Sequence, residues 1–288
     1  KFCVFRFAQT NSFRLHIIDF TKGRLFKGYI NIIRHPKHGY GSAINPCIDC
    51  HVFMLKEAKK LAKKIHAKVI VTGEVLNERP MSQHFSALKI VEKEAGLQNN
   101  LLRPLSAKLL PETDAEKTGL IDRGKLLDIQ GRQRHRQFEL AKKYKISFPS
   151  PGGGCLLCEK EFSAKMKDLF IHEKNISEQD IELLKIGRHF RINSNRVIIG
   201  RNYGENVKIK KLACKDDLLM EGVGIPSPTT LVKGKADKKT IEKAAEITAR
   251  YSDAKTGHIL IKILPRKQEI TAKRADEQEI EKFRIRAN

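Results

Sequence analysis

The chain predicts an α/β fold built on a parallel sheet, followed by a smaller α+β domain. In the first half, short β-branched apolar runs flank a helix of amphipathic spacing, and strand, helix, strand alternation of this kind argues for a parallel sheet. In the second half, four β-rich runs gather beyond a Pro/Gly break.

Taken in order, KFCVFRF and FRLHIIDF have the length and branching of buried strands. The chain opens inside the first of these without Met, so further residues are expected upstream. Across residues 54–65, Met54, Leu55, Ala58, Leu61, Ala62 and Ile65 follow helical spacing, while Lys56, Lys59, Lys60, Lys63 and Lys64 take the other face. Asp49 is the expected N-cap, which sets Cys50 in the first turn. AKVIVTGEVL reads as a buried strand over residues 69–72 ending in a glycine turn. Ligands gather at the carboxyl ends of strands in open parallel sheets, which marks residues 72–84 as a site by position. LLRPL is a further short strand. Helices are expected over residues 123–129 and 132–144, the second bearing Arg132, Arg134, Arg136, Lys142 and Lys143. FPSPGGGCLLC then breaks regular structure. Farther on, NRVIIGRN, NVKIKKL, TTLVKG and HILIKIL read as strands, and Asp237 caps a helix with Ile241, Ala244, Ala245, Thr248 and Tyr251. The expected division is a first domain over residues 1–165, a helical connector over 166–186, the α+β domain over 187–265 and a charged tail over 266–288.

Lys and Arg number 56 against 33 Asp and Glu in 288 residues, a net charge of +23 spread along the chain. Such an excess suits a polyanion, because neutralising phosphates releases counterions. Aromatics make up 7% with no Trp, which argues against a stacking platform for single strands and for a folded RNA read by shape and phosphate. No apolar run is long enough to cross a membrane and no signal-peptide pattern follows Lys1, so a cytoplasmic protein is expected.

The six cysteines, Cys3, Cys47, Cys50, Cys155, Cys158 and Cys214, are too sparse for a secreted disulfide framework. Four of them form two C-x-x-C pairs, for which three chemistries are open. Cys47, Cys50, Cys155 and Cys158 supply the four thiolates of tetrahedral zinc, although common zinc modules keep their pairs only about 15 to 20 residues apart. Three thiolates suit an iron–sulfur cluster with one iron open to exogenous sulfur. Cys50, in a first helical turn among lysines, is also expected to favour its thiolate and to carry or attack a persulfide. His51, beside the pair, is read as either orienting a ligand or facing solvent, with solvent favoured.

The stretches GYGSAINPCIDCHVFMLKEAKKLA, VIVTGEVLNERPMSQH, LLRPLSAKLLPET, IDRGKLLDIQGRQRHRQFELAKKY and PSPGGGCLLC, in this order over about residues 15–165, resemble the PP-loop ATP pyrophosphatase family of tRNA thiolation enzymes, in its 2-thiouridylase-like and 4-thiouridine synthase-like groups. The resemblance implies a Rossmann-like fold of the adenine nucleotide alpha hydrolase type. It also implies ATP with Mg as cofactor, tRNA as substrate, and a sulfur donor protein or sulfide as partner. In the implied reaction a uridine carbonyl is adenylated and its oxygen is then replaced by sulfur. By position, Gly73, Glu74, Ser82 and Gln83 match the family's GES…SQ stretch and Arg103 its RPL segment, near nucleotide and substrate. Cys50 matches the first catalytic cysteine and Cys155 falls where the second is expected. Cys47 departs from the two-cysteine pattern and completes the three-cysteine set of members that hold a four-iron four-sulfur cluster, which favours the cluster over the persulfide route. Cys158 then stands as a spare thiol, a fourth ligand or a sulfur carrier. The family's Ser-Gly-Gly-x-Asp-Ser phosphate loop occurs nowhere in the sequence. The chain is therefore read as lacking the first strand and that loop, and as inactive towards ATP on its own.

VIIGRNYGENVKIKKLACKDDLL, IPSPTTLVKG and AAEITARYSDAK, over about residues 190–264, resemble the RNA-binding domain at the end of fibronectin-binding-type ribosome quality-control (NFACT) proteins. This implies RNA contacts from Gly200, Arg201, Asn202, Asn206, Lys208 and Lys255, beside those of Arg132, Arg134 and Arg136. Leu219 and Glu221 stand where that family usually has Trp and His. Two functions of different classes follow, a tRNA-thiolating enzyme and a non-catalytic RNA-binding protein with a structural zinc. A phosphate loop encoded upstream would decide for the enzyme.

Overall fold

The computed structural model describes residues 2–146, 148, 154–254 and 257–287, and the chain divides into two compact units, Lys1–Cys155 and Leu156–Asn288. The first contains α1 (Phe2–Thr10), α2 (Gly23–Arg34), α3 (Cys47–Lys64), β1 (Ile70–Val71), α4 (Phe85–Ala95), β2 (Leu101–Leu102), α5 (Asp114–Lys117) and α6 (His135–Lys143). The lysine-rich amphipathic run is its spine. Ile48, Val52 and Leu55 of α3 pack on Ala87, Val91 and Ala95 of α4, with Leu97 and Leu101 closing the cluster. Full burial of a large apolar side chain contributes about 1.5–3 kcal/mol. β1 and β2 pair in parallel, Ile70 opposite Leu101 and Val71 opposite Leu102, with α4 in the connection between them.

The parallel sheet is thus present but small, and four other expectations change. From Phe2 onward KFCVFRF lies in helix α1, and FRLHIIDF joins no strand. A strand needs a neighbour for its N–H and C=O groups, whereas a helix satisfies them internally. Residues 123–129 form only a 3-10 turn, Arg123–Lys125. Helix α3 begins at Cys47 with Pro46 at the N-cap position, so Asp49 lies in the first turn. The Asp49 carboxylate instead accepts from the Lys37 and His38 backbone N–H groups, each at 3.1 Å.

The second unit contains α7 (Lys160–His172), α8 (Glu178–Leu184), β3 (Arg188–Ile192), β4 (Asn195–Ile199), α9 (Tyr203–Leu212), β5 (Leu218–Gly222), β6 (Thr230–Val232), α10 (Lys238–Arg250), β7 (His258–Leu264), β8 (Gln268–Lys273) and α11 (Glu277–Glu281). Its six strands form an antiparallel sheet in the order β3-β4-β6-β5-β7-β8. Helix α10 covers one face, where Ile241, Ala244 and Ala245 meet Val197, Ile199 and Met220. On the other face, Leu183 of α8 and Ile209 of α9 meet Ile198 and Leu231. Burial on both faces explains the unbroken apolar run VII in β4. Asp237 caps α10, accepting from Thr240 N at 2.7 Å.

NVKIKKL is helical, although its alternation reads as a strand. Asn202 accepts from Glu205 N at 3.0 Å and starts α9 ahead of it. Residues 266–288 are not simply a tail. QEITAK pairs with β7 as an edge strand, Ile270 opposite Ile261, and α11 buries Ile280. Its charged outward side chains disguise a strand whose inward face carries Ala272.

His189 of β3 is 1% exposed, and its Nε2 faces the carbonyls of Ile186 at 2.9 Å and Leu183 at 3.2 Å. Burial, aided by the charges of Lys165 and Arg196, pushes its pKa from 6.5 to about 3. A histidine kept neutral on folding stabilises the folded chain above pH 6.5, and that contribution is lost as pH falls from 6.5 towards about 3, because the unfolded chain takes up the proton first. The urea midpoint of this unit is therefore expected to drop across that window. A His189→Asn variant with an undiminished drop would refute the assignment.

Candidate functional site

The turn before α3 presents the first cysteine pair. Gly41 N donates to Asn45 O at 2.9 Å, and a Cβ on Gly41 would lie 2.3 Å from Asn45 Nδ2, so a side chain there would displace the Asn45 amide. Asn45 Nδ2 in turn donates to Cys47 Sγ at 3.2 Å. One helical turn on, Cys50 is buried, and its thiol donates to Tyr29 Oη at 3.5 Å. Phe20, Tyr29 and Phe53 form an aromatic cluster around that phenol, with ring centroids 5.3 to 6.3 Å apart.

Cys50 does not favour its thiolate. Burial pushes the thiol up to about 11, the charges of Cys155, Cys47 and Asp49 add to the rise, and the Tyr29 hydrogen bond opposes it. Desolvation thus outweighs the early helical position and the lysines, which lie on the other face of α3. Burial likewise raises the Tyr29 pKa, with Cys50, Cys155 and Cys47 adding to the effect. Cys47, Cys50 and Cys155 therefore lie within electrostatic reach of the same phenol. Cys47 is half-buried, whereas Cys155 and Cys158 are exposed.

His51, expected in solvent, instead donates through Nδ1 to Glu74 Oε1 at 2.7 Å. That carboxylate also accepts from Thr72 Oγ1 at 3.0 Å and from Arg103 Nε at 2.9 Å. Burial pushes the Glu74 carboxyl up, but the hydrogen bond from His51 and the charge of Arg103 outweigh it and hold the group below the ordinary carboxylate range. The Arg103 guanidinium also pairs with Glu92 of α4. The ends of both short strands and the start of α3 are thus tied by one buried ionic network, and Glu74 and Arg103 spend their charges on each other. Glu92 and His51 escape sequence reasoning because their partners are remote in the chain.

Elsewhere in this segment Gly73 opens onto free space, where a Cβ would meet no atom within 4 Å. Ser82 and Gln83 are buried. Gln83 closes its own loop, Oε1 accepting from Arg79 N at 3.1 Å and its carbonyl from Asn77 N at 2.8 Å. Among the described residues no three His, Cys, Asp or Glu side chains converge to hold a single metal ion, as zinc requires. The donor set of Cys47, Cys50 and Cys155 matches in kind what an iron–sulfur cluster takes.

Helix α6 buries no residue. Arg132 is exposed, while Arg134 pairs with Glu78 at 2.7 Å and Arg136 with Asp128 at 2.7 Å. In the second unit Arg201 pairs with Glu205 at 2.5 Å, Asn202 caps α9 and Lys208 is exposed. Lys255 lies outside the described residues. Glu221 is engaged by Lys210 at 2.5 Å and by Thr229 Oγ1 at 2.6 Å.

Residues 3–108 match the family model described as thiamine biosynthesis protein (ThiI), and residues 187–284 match that of the NFACT protein RNA binding domain, which extends through β8 and α11. No curated protein is matched by the chain. Among solved structures, the C-terminal part of the fibronectin/fibrinogen-binding protein from Streptococcus suis is similar at 13% identity and a TM-score of 0.33, over 83% of this chain and 93% of that one. The two family models thus match separate parts of the chain, the first similar to ThiI and the second to the NFACT RNA-binding domain.

Proposed function

We propose that the chain serves ATP-dependent thiolation of a tRNA uridine together with a phosphate loop that these residues do not supply, its C-terminal domain contributing RNA affinity. Adenylation would join the uridine carbonyl oxygen to the α-phosphate and release pyrophosphate. A sulfur nucleophile then adds to the same ring carbon, and AMP leaves with the oxygen. The observation that carries this reading is the pair Cys47 and Cys50 at the start of α3, with Cys50 hydrogen-bonded to Tyr29 and the charge of Cys155 acting on both groups. The match of residues 3–108 supports it further. In this reading the exposed Cys155 would meet sulfur donor and RNA, while Cys50 holds its proton at neutral pH.

A four-iron four-sulfur cluster on these three thiolates would leave one iron open to exogenous sulfur. Ligation displaces the Cys50 proton, so cluster uptake is expected to improve as pH rises. Anaerobic purification followed by iron, zinc and sulfide analysis tests the cluster, and tightly bound zinc without iron overturns it. Deleting the intact gene should remove one thionucleoside from total tRNA, and an unchanged nucleoside profile overturns the thiolation reading. The purified chain should also bind tRNA with an affinity that falls steeply with salt, as counterion release requires. Salt-independent binding, or none, contradicts the RNA role.

A further inference from the structure

The second unit carries a groove of about 280 Å³ in which Arg188, Arg201, Asn202, Tyr203, Tyr251 and Asp253 meet. Its walls are built before any ligand arrives. A Cβ on Gly200 would lie 2.0 Å from Asn206 Oδ1, so a side chain there would displace that amide, which accepts from Thr229 N at 3.0 Å and staples the GRN turn to the opposite loop. The backbone of Asp253 is fixed in the same way, its N–H donating to Pro226 O at 3.0 Å. Tyr203, at the first position of α9, leaves 83% of its surface exposed, the largest such value among the described large apolar and aromatic side chains. The Arg188 guanidinium lies 4.5 Å from the centre of the Tyr251 ring.

A flat unpacked ring beside two guanidinium groups, an amide and one carboxylate is the chemistry of a nucleotide. The ring offers a stacking face, Arg188 takes a phosphate together with Nη1 of Arg201, whose Nε and Nη2 are held by Glu205, and the carboxylate of Asp253 repels phosphate while accepting from a base amino group or a ribose 2′-hydroxyl. The volume lies at the low end for small-molecule sites, which suits one nucleotide. A base inside a duplex cannot offer its face to such a groove. We propose that the groove takes a single unpaired nucleotide of the bound RNA, its base on Tyr203, its phosphate towards Arg188 and Arg201 and its ribose or base edge towards Asp253. This rests on the RNA-binding reading and narrows it from folded RNA in general to an exposed nucleotide. A chain with few aromatics has concentrated two tyrosines here.

The test uses the whole chain with a short single-stranded RNA carrying 2-aminopurine and a blunt RNA duplex of the same length. Stacking on Tyr203 should quench the 2-aminopurine fluorescence. Tyr203→Ala should weaken single-strand binding roughly 5- to 150-fold, abolish the quenching and leave both duplex binding and the salt dependence unchanged, while Tyr203→Phe keeps all of them. Arg188→Ala should instead lower the salt slope by about one phosphate. Wild-type-like single-strand affinity and quenching in Tyr203→Ala, with salt-dependent RNA binding intact, overturns the groove assignment alone. Failure of the wild-type chain to bind either RNA overturns the RNA-binding reading as well.

Discussion

Replacing Arg103 by alanine is expected to shift the urea midpoint of the first unit down by the equivalent of about 3–5 kcal/mol, the usual cost of breaking a buried ion pair by removing one partner. The guanidinium side chain is 1% exposed, and the carboxylates of Glu74 and Glu92 that it separates are 7% and 9% exposed. Without Arg103, two buried carboxylates share one site with the Thr72 hydroxyl, His51 and Lys89 as partners. Since domain stabilities run to about 5–15 kcal/mol, such a loss leaves the unit barely folded. Lysine restores a charge but not the fork that reaches both carboxylates, so Arg103→Lys should recover only part of the loss. A midpoint for Arg103→Ala within error of the wild-type value would show that the network does not hold this unit together.

Cys50→Ala and Cys155→Ala, each introduced into the intact gene, are expected to reduce the thionucleoside in tRNA to background. Cys155 is exposed, so its replacement removes a reactive group and little packing. Cys50 is buried against Tyr29, and its replacement leaves a small cavity at the cost of about 1 kcal/mol. Both variants should therefore keep wild-type affinity for tRNA, which separates loss of chemistry from loss of fold. Cys214→Ala, in the second unit, serves as the control and should leave thiolation intact. Cys47→Ala distinguishes the sulfur routes, since it removes a cluster ligand but neither thiol of a two-cysteine persulfide exchange. Normal thionucleoside in either Cys50→Ala or Cys155→Ala would refute the assigned chemistry.

What was legible in the sequence depended on how local its cause was. The α3 pattern is local, because apolar and lysine positions separate on the two faces of one helix, and only its starting residue moved. The Asp237 cap and the strands NRVIIGRN, TTLVKG and HILIKIL are local as well. The motifs that carry both family resemblances are also short, and the family comparisons find the same pairing. The failures have the opposite character. KFCVFRF has strand composition but no strand beside it, NVKIKKL has strand alternation downstream of a helix cap, and QEITAK has the charge of a tail but the neighbour of an edge strand.

By itself the sequence determined the amphipathic α3, the spacing that sets Cys47 and Cys50 one turn apart, the motifs of two families and the basic charge that suits RNA. Only the tertiary structure decided that the charge of Cys155 acts on Cys50, that Cys50 holds its proton, that His51 joins Glu74 and Arg103, and that Arg188, Tyr203 and Tyr251 line one groove. The physical reason is that composition and periodicity act over a few residues. Desolvation, ion pairing and strand pairing are instead sums over neighbours that only the folded chain brings together.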